Sequence, residues 1–290
     1  HLETSISDIP ETVGVYLFYG EGTRPLYVGK GVHLRTRVMS HFQSANKVAR
    51  EMRILQEIRR IEWRETAGEL GALLLESRLV KELQPVYNRQ LRRERQLWAW
   101  KLDATASARP LVQLAHMDDV PPDAFTQLYG VYRTRRQATD ALRLLAQTHG
   151  LCPQALGLET GKGACFAHQI GQCKGVCAGR ETRELHHLRL QMALATDKLK
   201  AWPHAGAVAI REHDAASGRT DIHVFDRWCH IATVHDHAEL DDALQSRQPL
   251  AFDLDTYRIL VKRILQPTKQ DPALFHLHKP GWPADAQAHQ

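Results

Sequence analysis

Gly14-Val15-Tyr16-Leu17-Phe18-Tyr19, the break Gly20-Glu21-Gly22-Thr23-Arg24-Pro25, and the resumption Leu26-Tyr27-Val28-Gly29-Lys30 decide how the first part of this chain folds. β-Branched and aromatic residues suit a pleated, buried surface, and glycine and proline between two such runs mark a turn. The stretch therefore predicts a β-hairpin. After Gly31 the apolar period becomes helical, with Leu34, Val38 and Phe42 on one face and Arg37 and His41 one turn apart on another. A second helix fits residues 47–60, Ile61-Glu62-Trp63 fits a third strand, and residues 69–83 form a strongly apolar helix stopped by Pro85. The first 95 residues are thus expected to form a compact α+β domain with a small antiparallel sheet.

The hairpin and its helices carry the residue types that phosphodiester cleavage requires. Such a site must take a proton from water, hold a metal against the scissile phosphate and neutralise an in-line transition state. Tyr16 and Tyr27 stand on neighbouring strands, Gly29 lets the backbone come close to a phosphate, and Lys30 and Arg37 supply cations. Glu76 is an acid among Leu73, Leu74, Leu75, Leu79 and Val80. A carboxylate on so apolar a helix is costly unless a cation faces it.

The triplets Gly14-Val15-Tyr16 and Tyr27-Val28-Gly29 resemble the paired signature of the GIY-YIG nuclease family, with valine for isoleucine in each. With Lys30, Arg37, Glu76 and Asn88 the likeness extends to the nuclease domain of UvrC-type excision-repair proteins. The resemblance implies that Tyr27 takes or relays the proton of water, that Tyr16 positions it, and that Arg37 contacts phosphoryl oxygens. It also implies that Glu76 holds one Mg²⁺ or Mn²⁺, and that the products are a 5′-phosphate and a 3′-hydroxyl. One position departs from the pattern: His41 stands where UvrC-type proteins place a third tyrosine, and it is a second candidate proton acceptor. Lys30, Asn88 and His41 complete the expected catalytic set.

At 290 residues the chain is long enough for more than one core, and 43% hydrophobic and 24% charged residues are ordinary for a globular protein. No apolar run nears the ~20 residues that span a bilayer, so a membrane helix is excluded. No secretory signal is visible in this sequence, and a cytoplasmic monomer is expected. The opening His1-Leu2-Glu3 in place of Met suggests missing upstream residues. A net charge of +5 leans toward an anionic partner. Arg35 and the basic run containing Arg89, Arg92 and Arg93 are the candidate DNA contacts.

Four of the five cysteines, Cys152, Cys165, Cys173 and Cys177, are clustered. Four thiolates suit a tetrahedral zinc ion or an iron–sulfur cluster, and the spacing leaves both open. The resemblance of residues 165–177 to UvrC-type proteins favours [4Fe-4S] over Zn²⁺. Downstream, a helix over 181–200 and alternating runs at 207–210, 221–225 and 230–234 predict a C-terminal α+β part with an antiparallel meander. The expected order is nuclease domain 1–95, a connecting basic and helical segment 96–150, the four-cysteine segment 151–200, a C-terminal domain 201–268 and a disordered tail 269–290. The resemblance implies a 3′-side incision in damaged double-stranded DNA delivered by UvrB, with UvrA upstream. The alternatives are a non-catalytic DNA-binding module and the nuclease part of a larger exonuclease fusion.

Overall fold

A computed structural model describes residues 5–43, 49–88, 97–246, 250–265 and 273–277. The chain divides into two compact units, one joining His1–Glu94 to His204–Gln290 and the other spanning Arg95–Pro203. The first begins with β1 (Gly14–Tyr19), β2 (Pro25–Gly31), α1 (Leu34–Gln43), α2 (Ala49–Glu57), β3 (Arg60–Glu65) and α3 (Glu69–Leu83). The three strands form an antiparallel sheet in the order β2-β1-β3.

All six residues of β1 are buried, because the central strand has packing on both faces. Tyr16 and Phe18 point to one side, toward Leu34, Val38, Ile54, Ile58 and Ile61. Val15, Leu17 and Tyr19 point to the other, with Val28, Ala72, Leu79 and Val80. This two-sided burial is why Val15-Tyr16-Leu17-Phe18 shows a continuous apolar run where a half-exposed strand would alternate. At Gly14 an added Cβ would lie 2.9 Å from Leu34, so the start of β1 also needs a residue with no side chain.

The second unit holds β4 (Trp98–Leu102), β5 (Val112–His116), β6 (Leu128–Tyr132), α4 (Arg135–His149), the short α5 (Phe166–Gln169) and α6 (Arg183–Leu194). Its antiparallel sheet runs β5-β4-β6. One core joins Trp100, Val112, Ala138 and Leu142 to Cys152, Cys165, Leu190 and Leu194. Residues 97–150 contain a sheet and a helix packed on the cysteine segment. Five-residue strands carry too little periodicity to stand out beside a basic run. Arg189 binds Glu181 through both nitrogens Nε and Nη2 and also donates to the carbonyls of His149 and Gly150, fixing α6 to the end of α4.

The chain returns to the first unit with β7 (Val208–Asp214), β8 (Arg219–Asp226), β9 (Cys229–Val234), α7 (His237–Gln245), α8 (Leu254–Ile264) and β10 (Leu274–His276). The expected meander is present, and β10 extends it to the order β10-β7-β8-β9. The tail expected from residue 269 onward is thus ordered at 274–277, where Phe275 pairs with Ala209 and Leu277 enters the core. Helices α7 and α8 start on Asp236 and Asp253, whose carboxylates accept from the backbone N–H three residues ahead. Among the described residues no helix is long and apolar enough to cross a membrane.

Candidate nuclease site and four-cysteine centre

In the β1–β2 ladder Tyr16 stands opposite Gly29. An added Cβ at Gly29 would lie 2.6 Å from Tyr16 Cζ and 2.8 Å from Tyr27 Cε1. The glycine expected to admit a phosphate instead makes room for the two tyrosine rings. Helix α1 then brings His41 against them, with ring centroids 5.6 Å from Tyr16 and 5.8 Å from Tyr27. The Tyr16 hydroxyl lies 2.6 Å from His41 Nε2.

Burial pushes the Tyr16 phenol up, and the nearby Tyr27 and Glu76 push the same way against Arg37. Tyr16 therefore stays protonated and shares one hydrogen bond with His41 Nε2, whose direction follows the imidazole tautomer. Glu76 enters the same neighbourhood from α3. Burial raises its carboxyl, Lys30 and Arg37 oppose that rise, and Asp255 of α8 adds to it. Arg37 is solvent-exposed, and its Cβ is only 2.8 Å from where a Cβ on Gly31 would stand. Tyr16, Tyr27, Lys30, Arg37, His41 and Glu76 are therefore brought together, a phenol pair, an imidazole, two cations and a carboxylate from four elements.

Asn88 has a different task. Its Oδ1 accepts from Val28 N–H at 2.9 Å and its Nδ2 donates to Val28 C=O at 2.8 Å, extending the ladder at the residue between Tyr27 and Gly29. Arg35 donates through Nε to the Ile9 carbonyl at 2.6 Å. Arg89, Arg92 and Arg93 lie outside the described residues.

Sequence reasoning missed the acids that approach α3 from the C-terminal strands and helix. Asp255 acts on Glu76 from α8, while Glu212 and Asp221 meet the helix start. Lone acids in polar strands resemble any solvated position, and only tertiary structure distinguishes them.

The four sulfurs of Cys152, Cys165, Cys173 and Cys177 lie within 4.8 Å of one another. Backbone N–H groups of Cys165, His168 and Gly175 point at Cys177, Cys165 and Cys173 sulfurs. Burial pushes the Cys152 thiol up to about 11 and raises Cys165 as well, so four thiolates here need a cation to be stable. The donor set fits a metal centre. A tetrahedral zinc ion with ~2.3 Å bonds needs sulfurs about 3.8 Å apart, within the observed span. Iron–sulfur clusters use the same four-thiolate donor set, but a four-iron cluster spreads its thiolates wider than this span. His186 supports the centre from behind, its Nε2 accepting from Cys152 N–H at 2.9 Å, and burial lowers it to about 4, keeping it neutral.

A GIY-YIG sheet with this constellation, followed by a four-cysteine unit, defines a UvrC-like nuclease of excision repair. Residues 12–89 match the UvrC-like GIY-YIG domain, 97–196 the middle domain of UvrC and Cho excinucleases, and 207–280 the excinuclease Cho C-terminal domain. The chain belongs to the excinuclease Cho family. It is 40% identical to excinuclease Cho of Escherichia coli (strain K12) across 94% of this chain and 90% of that one. Salmonella typhimurium (strain LT2) Cho is 39% identical, with 91% and 87% covered. The UvrABC system protein C of Dictyoglomus thermophilum is 31% identical over 63% of this chain and 30% of its own length. Among solved structures, the GIY-YIG N-terminal endonuclease domain of UvrC from Thermotoga maritima, bound to its catalytic divalent cation magnesium, is 34% identical. It covers 29% of this chain and 90% of that domain at a TM-score of 0.27.

Proposed function

We propose that this protein nicks damaged double-stranded DNA on the 3′ side of a lesion presented by UvrB after UvrA, leaving a 5′-phosphate and a 3′-hydroxyl. The observation that carries the reading is the meeting of Tyr16, His41 and Tyr27 with the Glu76 carboxylate and the Arg37 cation. Family membership supports the excision-repair setting.

Glu76 is the residue that would hold a single Mg²⁺ or Mn²⁺, with Lys30 and Arg37 opposing the burial that raises its carboxyl. When bound, that ion supplies Lewis-acid stabilisation of the charge on the leaving 3′ oxygen. Arg37, exposed at the mouth, pairs with the phosphoryl oxygens. His41 Nε2 is occupied by the Tyr16 hydroxyl, so that nitrogen is not open to water. Tyr27 is accordingly the group that takes the water proton, held in place by the Tyr16–His41 pair and by Asn88 on the adjoining backbone. The four cysteines would hold a metal centre that staples the middle unit, a [4Fe-4S] cluster if the thiolates spread apart, with zinc as the alternative at the observed span.

The deciding experiment is an incision map on a DNA with one defined lesion, using UvrA, UvrB, Mg²⁺ and this protein. A nick 3′ of the lesion, absent with Glu76→Gln, is expected. A nick only on the 5′ side, or equal cutting by Glu76→Gln, overturns the reading. Iron and sulfide in protein purified without oxygen are expected, and zinc without either would replace the cluster assignment.

A further inference from the structure

Helix α3, which carries Glu76, has no cap of its own. Its N-cap residue is Gly68, which has no side chain to accept from the first turn. The first N–H groups of a helix require an acceptor when buried, and local Ser, Thr, Asp or Asn usually supply it. Here the acceptors come from the C-terminal strands. Glu212 on β7 accepts from Leu70 N–H through Oε1 at 2.9 Å and from Gly71 N–H through Oε2 at 2.8 Å. Asp221 on β8 accepts from Ala67 N–H at 2.7 Å.

Glu212 and Asp221 are directly opposite in the β7–β8 register. Two like charges in that relation oppose pairing unless something between them compensates. The positive end of α3 with its Leu70 and Gly71 N–H groups and the Ala67 N–H just before it compensate, together with His223, whose Nε2 lies 3.1 Å from Glu212 Oε2. His223 is fully buried, and its Nδ1 is 2.9 Å from Thr233 Oγ1, which in turn meets His230 Nε2 at 3.0 Å. The helix has adapted to this acid: a Cβ at Gly68 would overlap the Glu212 carboxylate, and one at Gly71 would lie 3.1 Å from His223. At the other end of α3, Lys81 pairs with Asp253 and Asp255 of α8. The helix is thus gripped at both ends by residues of the same C-terminal segment.

We propose that Glu212 is a positioning residue of the nuclease: by capping α3 it sets where the Glu76 carboxylate stands and hence how well the site binds its divalent ion. The proposal rests on Glu76 being the metal ligand. Glu76 lies less than two turns beyond Leu70, so a shift or fraying of the first turn moves its carboxylate relative to Lys30 and Arg37. The C-terminal segment acts on the chemistry through the helix and touches no reacting atom.

The test measures Mn²⁺ binding to the full-length protein by titration calorimetry, and nicking rate against Mg²⁺ concentration, for wild type, Glu76→Gln, Glu212→Gln and Glu212→Ala. Glu76→Gln is expected to lose the Mn²⁺ site. Both Glu212 variants are expected to weaken it about tenfold and raise the Mg²⁺ midpoint by a similar factor, with most of the rate recovered at saturating Mg²⁺. Glu212→Gln keeps the size of the side chain, so it serves if the alanine variant does not fold. A folded Glu212→Gln protein with wild-type Mn²⁺ affinity and Mg²⁺ midpoint overturns the positioning role. Wild-type Mn²⁺ binding in Glu76→Gln would overturn instead the metal assignment on which it stands.

Discussion

Tyr16 and His41 are joined by a 2.6 Å contact between a buried phenol and imidazole Nε2. The pair binds β1 to α1 inside the candidate site and decides which group remains open to water. Tyr16→Phe keeps the ring and removes the donor. It is expected to slow nicking about tenfold by releasing His41 Nε2 from its partner. Tyr27→Phe is expected to slow the reaction by at least ~10²-fold, the usual worth of general base catalysis. Rates for both variants across pH 5–9 check this, and a Tyr27→Phe enzyme as fast as wild type excludes Tyr27 as the base.

Glu76 ties stability to acidity with a definite sign. Burial raises its carboxyl, so ionisation costs stability as pH climbs through the folded value, and the cost is absent below the unfolded value of about 4.3. Glu76→Gln without metal is therefore expected to melt above wild type at pH 7 and level with it near pH 4. Melting curves in chelator at both pH values test this, and a variant less stable than wild type at pH 7 contradicts it.

Gly29→Ala forces a methyl group into the space of the Tyr16 and Tyr27 rings. Both are packed in the domain core, so they cannot swing aside cheaply. Loss of nicking with altered tyrosine absorbance, in a protein that stays folded, is the expected result, and wild-type activity would show that the rings tolerate displacement.

Asn88→Ala leaves Val28 N–H and C=O without their side-chain partners in a buried place. A loss of about 1–3 kcal/mol in urea unfolding is expected. Asn88→Asp keeps the acceptor but loses the donor, so its loss is expected to be of similar size.

Cys173→Ser is expected to remove most of the bound metal and to lower the melting temperature of the middle unit, since the thiol lies in the same core as Trp100 and Leu190. Metal content by elemental analysis and a melting scan check both. Unchanged metal content would assign the centre to other ligands.

The N-terminal sheet and its site were legible because β1 is short, apolar and bounded by glycines, and because Tyr16, Tyr27, Arg37 and Glu76 are unusual residues for the elements that bear them. The cysteine cluster was legible from spacing and residue type. What the sequence hid was of two kinds. The strands β4 to β6 are five residues long each, and Trp98-Ala99-Trp100 reads equally as part of a basic segment. The roles of Gly29, Gly68, Glu212 and Asp255 belong to contacts between distant segments, where a side chain's meaning is set by what it meets. Glycine in a nuclease loop suggests phosphate, whereas here it accommodates two rings.

The cap on α3 also orders events in time. Leu70 and Glu212 are separated by 142 positions, and the pairing of Lys81 with Asp253 closes a span of 172. A ribosome adding ~5–20 residues per second delivers Glu212 on the order of 10 s after Leu70. During that interval the GIY-YIG strands can pair locally, but the helix bearing Glu76 waits for its acceptors, because loop closure over such a span must come first. A nascent chain thus gives α3 its distant acceptors only when the C-terminal strands arrive.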